Sequence, residues 1–128
     1  PMPSLRTFFG TVVVGSALIA SPALAHPKLL ATTPAADASV AAPSRISLSF
    51  SERLMPRLSG VEIVMTAMPG MPDHRMTVTG FQTSTTDDGK TLTAVLARPL
   101  TAGSYQVSWH VVSTDTHRVE GSFAFTVQ

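Results

Sequence analysis

Apolar and polar residues alternate with a period of two through much of the chain. The pattern is clearest at residues 46–50, 61–65, 92–96, 105–111 and 119–127, where every second residue is apolar or glycine. Because successive side chains of a β-strand point to opposite faces, this alternation predicts strands with one buried face and one exposed face.

Two further strands are predicted at residues 26–33 and 76–81, and polar or small residues at 34–43 and 83–90 are predicted to connect strands. The 26–128 segment contains no convincing helical period. About seven short strands separated by turns predict an all-β fold, a Greek-key β-sandwich or small barrel.

The first 25 residues have a different pattern from the rest of the chain. Arg6 gives a positively charged start, residues 8–19 form an apolar run, and S-P-A-L-A at 21–25 ends in a small-residue cleavage pattern. These are the features of a secretory signal peptide. A membrane anchor is the alternative, but the run is shorter than the roughly 20 apolar residues that a spanning helix needs. We therefore expect a signal peptide at 1–25 and one exported domain at 26–128, soluble after cleavage.

The segment M-T-A-M-P-G-M-P-D-H-R-M at 65–76 concentrates four of the 6 methionines of the chain. Its prolines and glycine exclude a regular helix, so we expect a surface loop. Thioethers and imidazole suit a soft ion such as Cu(I). Methionine also fills gaps in cores, and Met65 falls on the inward side of its strand. The candidate Cu(I) ligands are Met65, Met68, Met71, His74 and Met76.

A second candidate site consists of His26, Asp115 and His117. If cleavage follows residue 25, the free amine and the imidazole of His26 can chelate one ion. Pro27 has no amide hydrogen for the ion to displace, so chelation is confined to the amine and the ring. Asp115 and His117 add a carboxylate and a second imidazole, and such nitrogen and oxygen donors favour Cu(II) over Cu(I). Taken separately, an aspartate in a turn and a surface histidine are both ordinary features.

Composition excludes some classes of function. The chain has 9 Lys and Arg against 8 Asp and Glu. One of the basic residues, Arg6, lies in the predicted signal peptide, so the domain is formally neutral and shows no basic patch for nucleic acid. Cysteine is absent, which is consistent with copper handling in an oxidising compartment. We find no nucleophile–base pair and no phosphate-binding loop.

Several short motifs follow one another along the predicted domain. They are H-P-K-L at 26–29, F-S-E at 50–52, M-T-A-M-P-G-M at 65–71, P-L-T-A-G-S-Y-Q-V-S-W at 99–109 and S-T-D-T-H at 113–117, followed by G-S-F-A-F-T-V. In this order and spacing the domain resembles the CopC family of periplasmic copper-resistance proteins from end to end. Two positions depart from the family pattern. His74 is shifted by one residue, and His110 stands where the family usually has arginine.

The resemblance implies a cupredoxin-like (Ig-like) β-barrel with a Cu(II) site and a Cu(I) site at opposite ends. By position, His26, Asp115 and His117 would bind Cu(II), and the 65–76 segment would bind Cu(I). The implied function is a periplasmic copper carrier for resistance or homeostasis, without catalysis. It would exchange copper with an inner-membrane copper transporter or another periplasmic copper protein. Two alternatives stay open: a copper-dependent oxidase or oxygenase that uses the His26 chelate, and a β-sandwich interaction module without metal.

Overall fold

The computed structural model describes Gly10 and residues 26–128, so the predicted signal peptide, apart from Gly10, lies outside the described residues. Residues 26–128 form nine β-strands and one short 3₁₀ turn, Pro56–Leu58. The strands are β1 (Leu29–Thr33), β2 (Ser39–Val40), β3 (Arg45–Phe50), β4 (Gly60–Ala67), β5 (Met76–Thr77), β6 (Phe81–Thr85), β7 (Thr91–Leu96), β8 (Gly103–Val112) and β9 (Arg118–Val127). In this part of the chain, no helix has the length and apolar character needed to cross a membrane.

The strands form two sheets, one in the order β1-β3-β7-β6 and the other in the order β2-β9-β8-β4-β5. All neighbouring strands are antiparallel except β2 and β9, which are parallel. The chain passes repeatedly from one sheet to the other, as in Greek-key sandwiches. The predicted all-β sandwich is therefore confirmed, with seven strands of five or more residues and two strands of two residues.

The segment 76–85 differs from its prediction. One strand was expected at 76–81, but β5 ends at Thr77 and β6 begins at Phe81. Just before β6 the chain turns at Gly80, whose φ of 77° lies in the left-handed region that favours glycine. The residues at 83–85 were expected in a turn, but they belong to β6 and pair with β7. Most side chains of β6 are exposed. An edge strand of this kind carries little apolar alternation, which explains the wrong prediction.

The core lies between the sheets and is built from the apolar side of the alternating strands. In β8, Tyr105, Val107, Trp109 and Val111 are buried, whereas the residues between them are exposed or half-buried. The ring of Trp109 meets Phe50 of the opposite sheet edge-on, with 5.1 Å between ring centroids. These contacts hold the two sheets together and leave the ends of the sandwich to the connecting segments.

Strand β8 links the two ends. Near its start Ser104 pairs with Ala67, beside the methionine-rich segment, and at its end Val112 pairs with Arg118, beside the turn that contains Asp115. The strand has 10 residues, which at about 3.4 Å per residue span ~30 Å. The two candidate sites therefore lie at opposite ends of the sandwich.

Candidate metal centres

The turn between β8 and β9 has a closely defined backbone. The Ser113 amide donates to the His117 carbonyl at 2.9 Å, and the Thr116 amide donates to the Ser113 carbonyl at 2.8 Å. Thr116 takes a positive φ of 74° to close the turn. These bonds place Asp115 and His117 on the same short loop at the end of the sheet.

Asp115 is held by three hydrogen bonds from this loop. The Ser113 hydroxyl donates a short bond to Oδ1, and the His117 amide donates to the same oxygen at 3.4 Å. Nδ1 of the His117 ring lies 3.2 Å from Oδ2. The Ser113 bond first, and then the His117 amide and ring, lower the pKa of Asp115 below its ordinary value of 3.8, against the opposing effect of desolvation. The carboxylate is therefore ionised near neutral pH.

His26 lies against this loop although it is at the far end of the domain sequence. The centroids of the His26 and His117 rings are 4.7 Å apart, with 56° between the ring planes. The next residues fix this position. Pro27 is buried, and Lys28 exchanges hydrogen bonds with Ser51, whose hydroxyl and amide are each 2.9 Å from their partner atoms. The structure thus brings His26, Asp115 and His117 together.

These three side chains do not make a finished site. Among residues 26–128, no three His, Asp or Glu side chains lie in an arrangement that could hold a metal ion. A complete site on this loop requires a further donor or a small movement of the rings. Cleavage before His26 would supply such a donor, the free amine.

The methionine-rich segment is more ordered than the loop that its sequence predicts. Residues 65–67 continue β4, and Met76 begins β5. Met68 and Met71 exchange amide–carbonyl bonds of 3.1 and 2.8 Å. Between them Pro69 and Gly70, with φ of 78° at the glycine, form the central pair of a type II turn. The segment 65–76, expected to be a surface loop, therefore forms a tight hairpin. The predicted absence of a regular helix in this segment is confirmed.

The four methionines form two cross-strand pairs. Met65 lies opposite Met76, and Met68 lies opposite Met71. Met65 is only 2% exposed, whereas Met71 and Met76 are 49% and 52% exposed, and Met68 is half-buried against the core. Met65 and Met76 line an open groove of about 380 Å³, and Met68 lines a separate groove of about 330 Å³. The burial of Met65 matches the packing role that its strand position suggested.

The remaining histidines differ in their surroundings. The His74 amide donates to the Met71 carbonyl at 3.3 Å, so its backbone is attached to the hairpin. His110 lies on the outward side of β8, opposite Gly60 and Glu120, on the polar face expected from its parity. Its neighbours line a shallow pocket of about 210 Å³.

Ser113 was not among the predicted site residues, although it bonds to one of them. It is 2% exposed, and its hydroxyl donates to Asp115. The S-T-D-T-H motif indicates only that Asp115 can accept the amide two residues on, as aspartates in turns commonly do. It contains no signal that the Ser113 hydroxyl donates to this carboxylate.

Comparisons with known proteins agree with the fold and the motif order. The CopC domain model of protein families matches residues 29–128. Copper resistance protein C of Xanthomonas campestris pv. juglandis is 45% identical over 128 residues, covering 99% of this chain and 100% of the relative. Copper resistance protein C of Escherichia coli is 40% identical over 119 residues, covering 93% and 92% of the two chains.

Two solved structures show the same fold. The crystal structure of PcoC, a methionine-rich copper resistance protein from Escherichia coli, superposes with a TM-score of 0.73 at 40% identity, covering 81% of this chain and 100% of PcoC. CopC from Methylosinus trichosporium OB3b gives a TM-score of 0.65 at 33% identity, covering 80% and 94%. The match of the family model over most of the chain, together with these identities, shows that the chain belongs to the CopC family.

Proposed function

We propose that the chain is a periplasmic copper carrier that serves copper resistance or homeostasis. Its relatives are named copper resistance proteins. The observation that carries the proposal is the placement of two donor sets of different chemical hardness at opposite ends of β8. Two such sets allow one protein to hold copper in both oxidation states, because thioethers prefer Cu(I) and nitrogen or oxygen donors prefer Cu(II).

The proposed Cu(II) site uses the loop that contains Asp115 and His117. An ionised carboxylate and two imidazoles already lie together there, and removal of residues 1–25 would add the amine of His26. Because ionised Asp115 can only accept hydrogen bonds, the His117 Nδ1 beside it carries the hydrogen, and Nε2 is free to bind the ion.

The proposed Cu(I) site uses the hairpin. Met68 and Met71 project from one side of the turn as a directly opposite pair, and Met76 and His74 follow within five residues of Met71. Cross-strand partners have their Cβ atoms about 5 Å apart, within reach of one ion held between two flexible thioethers. Met65 has less access to an ion because it is packed in the core.

The two sites are ~30 Å apart, which is the length of β8. At this distance an ion cannot pass directly from the ligands of one site to those of the other within one domain. Each end would therefore exchange copper with a partner on its own. An inner-membrane copper transporter or another periplasmic copper protein would be such a partner. Protein ligands on this loop would fill coordination positions that an oxygen-activating enzyme leaves open, which favours carriage over catalysis.

Copper titration of the domain that begins at His26 tests the proposal. We expect one equivalent of Cu(II) and one of Cu(I) to bind together without displacement, measured by EPR for Cu(II) and by competition with a chromophoric chelator for Cu(I). Met68→Leu with Met71→Leu should lower Cu(I) affinity by about tenfold per thioether and leave Cu(II) affinity unchanged.

The matched control is Met55→Leu, since Met55 lies outside the hairpin and its amide bonds to the end of β8. This variant should bind both ions as the wild type does. Competition of the two ions for a single site, or equal loss in the control, would contradict the model.

A further inference from the structure

We infer that Ser113 is a positioning residue for the Cu(II) site, which it orients through Asp115 and then His117. The inference rests on the proposed function, because it assigns a role within the Cu(II) site. Ser113 itself is not a candidate ligand. Its side chain is 2% exposed and lies beneath the loop, where its backbone also bridges to Leu54.

The hydroxyl of Ser113 has one hydrogen to donate, and the geometry directs it to Asp115. The hydroxyl donates to Asp115 Oδ1, and the other acceptor within reach, the His117 carbonyl, is 3.3 Å away. Since a buried hydroxyl is costly without a partner, this bond also stabilises the loop. Ser113 therefore fixes the rotation of the carboxylate from below.

The two carboxylate oxygens of Asp115 then accept hydrogen bonds from different partners. Oδ1 receives the Ser113 hydroxyl and the His117 amide, so both of its lone-pair directions point into the loop. Oδ2 faces the His117 ring at 3.2 Å and accepts its hydrogen bond. Without the Ser113 bond the carboxylate could rotate, and the two oxygens would exchange roles.

The same arrangement selects the binding nitrogen of His117. A carboxylate that accepts at Oδ2 places a hydrogen on Nδ1, so Nε2 is the nitrogen of the neutral ring that can bind the ion. Carboxylates that orient imidazole ligands commonly act in this way. Ser113 holds the carboxylate that holds the ring, so its effect on the ion is indirect.

The test compares Ser113→Ala, Ser113→Thr and Thr114→Ala in the domain that begins at His26. Thr114 is the matched control because it is an exposed neighbour on the same loop. Ser113→Ala should lower Cu(II) affinity by about 10–100-fold, the usual cost of losing such a partner, and should change the Cu(II) EPR hyperfine splitting. Ser113→Thr, which retains the hydroxyl, should restore most of the affinity. Thr114→Ala and the Cu(I) affinity of every variant should be unchanged.

A measurement on the metal-free domain separates orientation from binding. The ¹⁵N shifts of the His117 ring should show one tautomer, with hydrogen on Nδ1, in the wild type and in Ser113→Thr, and a mixture of tautomers in Ser113→Ala. If Ser113→Ala does not fold, the wild-type hydroxyl proton of Ser113 still tests the contact. It should exchange slowly with solvent because Ser113 is buried and bonded, and a rapidly exchanging proton would overturn the inference.

The outcomes also distinguish this inference from the proposed function. Cu(II) binding that is lost in His117→Ala but unchanged in Ser113→Ala, with one tautomer in both Ser113→Ala and the wild type, would overturn the role of Ser113 and leave the carrier intact. A wild-type domain that binds no Cu(II) would refute the proposed site, and with it the role of Ser113 in metal binding. The tautomer would then report only the orientation of the loop.

Discussion

The two ends of the sandwich hold their candidate ligands by different means. At the end of β8, Asp115 and His117 are oriented by hydrogen bonds from Ser113 and from the loop backbone. At the start of β8, Met68 and Met71 are placed by the pairing of the hairpin backbone, and Met68 also packs against the core. A thioether is a very weak hydrogen-bond acceptor, so nothing comparable can fix the direction of a methionine side chain.

This difference corresponds to the chemistry of the two ions. Cu(II) prefers nitrogen and oxygen donors, and hydrogen bonds can orient such donors in the proposed site. Cu(I) accepts soft donors, and flexible methionines can adapt to it. In the proposed sites, polar contacts orient the donors at one end, and side-chain freedom lets the thioethers adapt at the other.

The largest effect on stability is expected for Met65, the methionine that is buried in the core. Met65→Ala should lower the free energy of unfolding by about 2–5 kcal/mol, because it removes a buried side chain and leaves a cavity. Met71→Ala, at a position that is 49% exposed, should change it by less than about 0.5 kcal/mol. Thermal or urea unfolding of the metal-free domain measures both. Equal destabilisation would mean that the side chain of Met71 contributes as much to packing as that of Met65. It would contradict the inference that the exposed hairpin methionines are free to adapt.

The next effect concerns the amine of His26. A domain that retains Ala25 has no free amine at His26, so its Cu(II) affinity should fall by more than about 100-fold, beyond the usual cost of losing an outer partner. Its Cu(I) affinity should be unchanged, because the hairpin lies at the other end. Competition titration with a Cu(II) chelator measures the change. Equal Cu(II) affinity with and without Ala25 would exclude the amine from the site.

The smallest effect is a difference in pH response between the two ends. Protons compete with Cu(II) for the amine and the imidazoles but compete little with Cu(I) for thioethers, so acidification should release Cu(II) first. The depressed pKa of Asp115 keeps its carboxylate charged down to about pH 3.8 and below. Any release of Cu(II) above pH 4 would therefore be caused by protonation of the nitrogen donors.

The same pKa determines the acid response of the metal-free loop. Because the folded pKa of Asp115 lies below its ordinary value of 3.8, the contribution of this carboxylate to stability is present above that pH. It is lost as the pH falls through the lower folded value. NMR titration of the His117 amide should show the loop released only below pH 3.8, and release near pH 6 would contradict the hydrogen-bond assignment.

Most of the longer strands could be predicted from the local alternation of apolar and polar residues. The alternation at 46–50, 92–96, 105–111 and 119–127 recurs in β3, β7, β8 and β9, because a sandwich strand buries one face and exposes the other. The edge strand β6 was missed, since its exposed side chains carry no such pattern. The site residues remain predictions as ligands, although the structure places each of them.

The sequence by itself determined the all-strand frame, the candidate donors and the order of motifs that the CopC family shares. These features depend on residue type and local spacing, which are visible along the chain. Only the tertiary structure decided that the rings of His26 and His117 lie 4.7 Å apart, that the methionines divide into two pairs, and that Ser113 bonds to Asp115. Such contacts depend on strand register and on how the loops close over the core, and no local pattern specifies them.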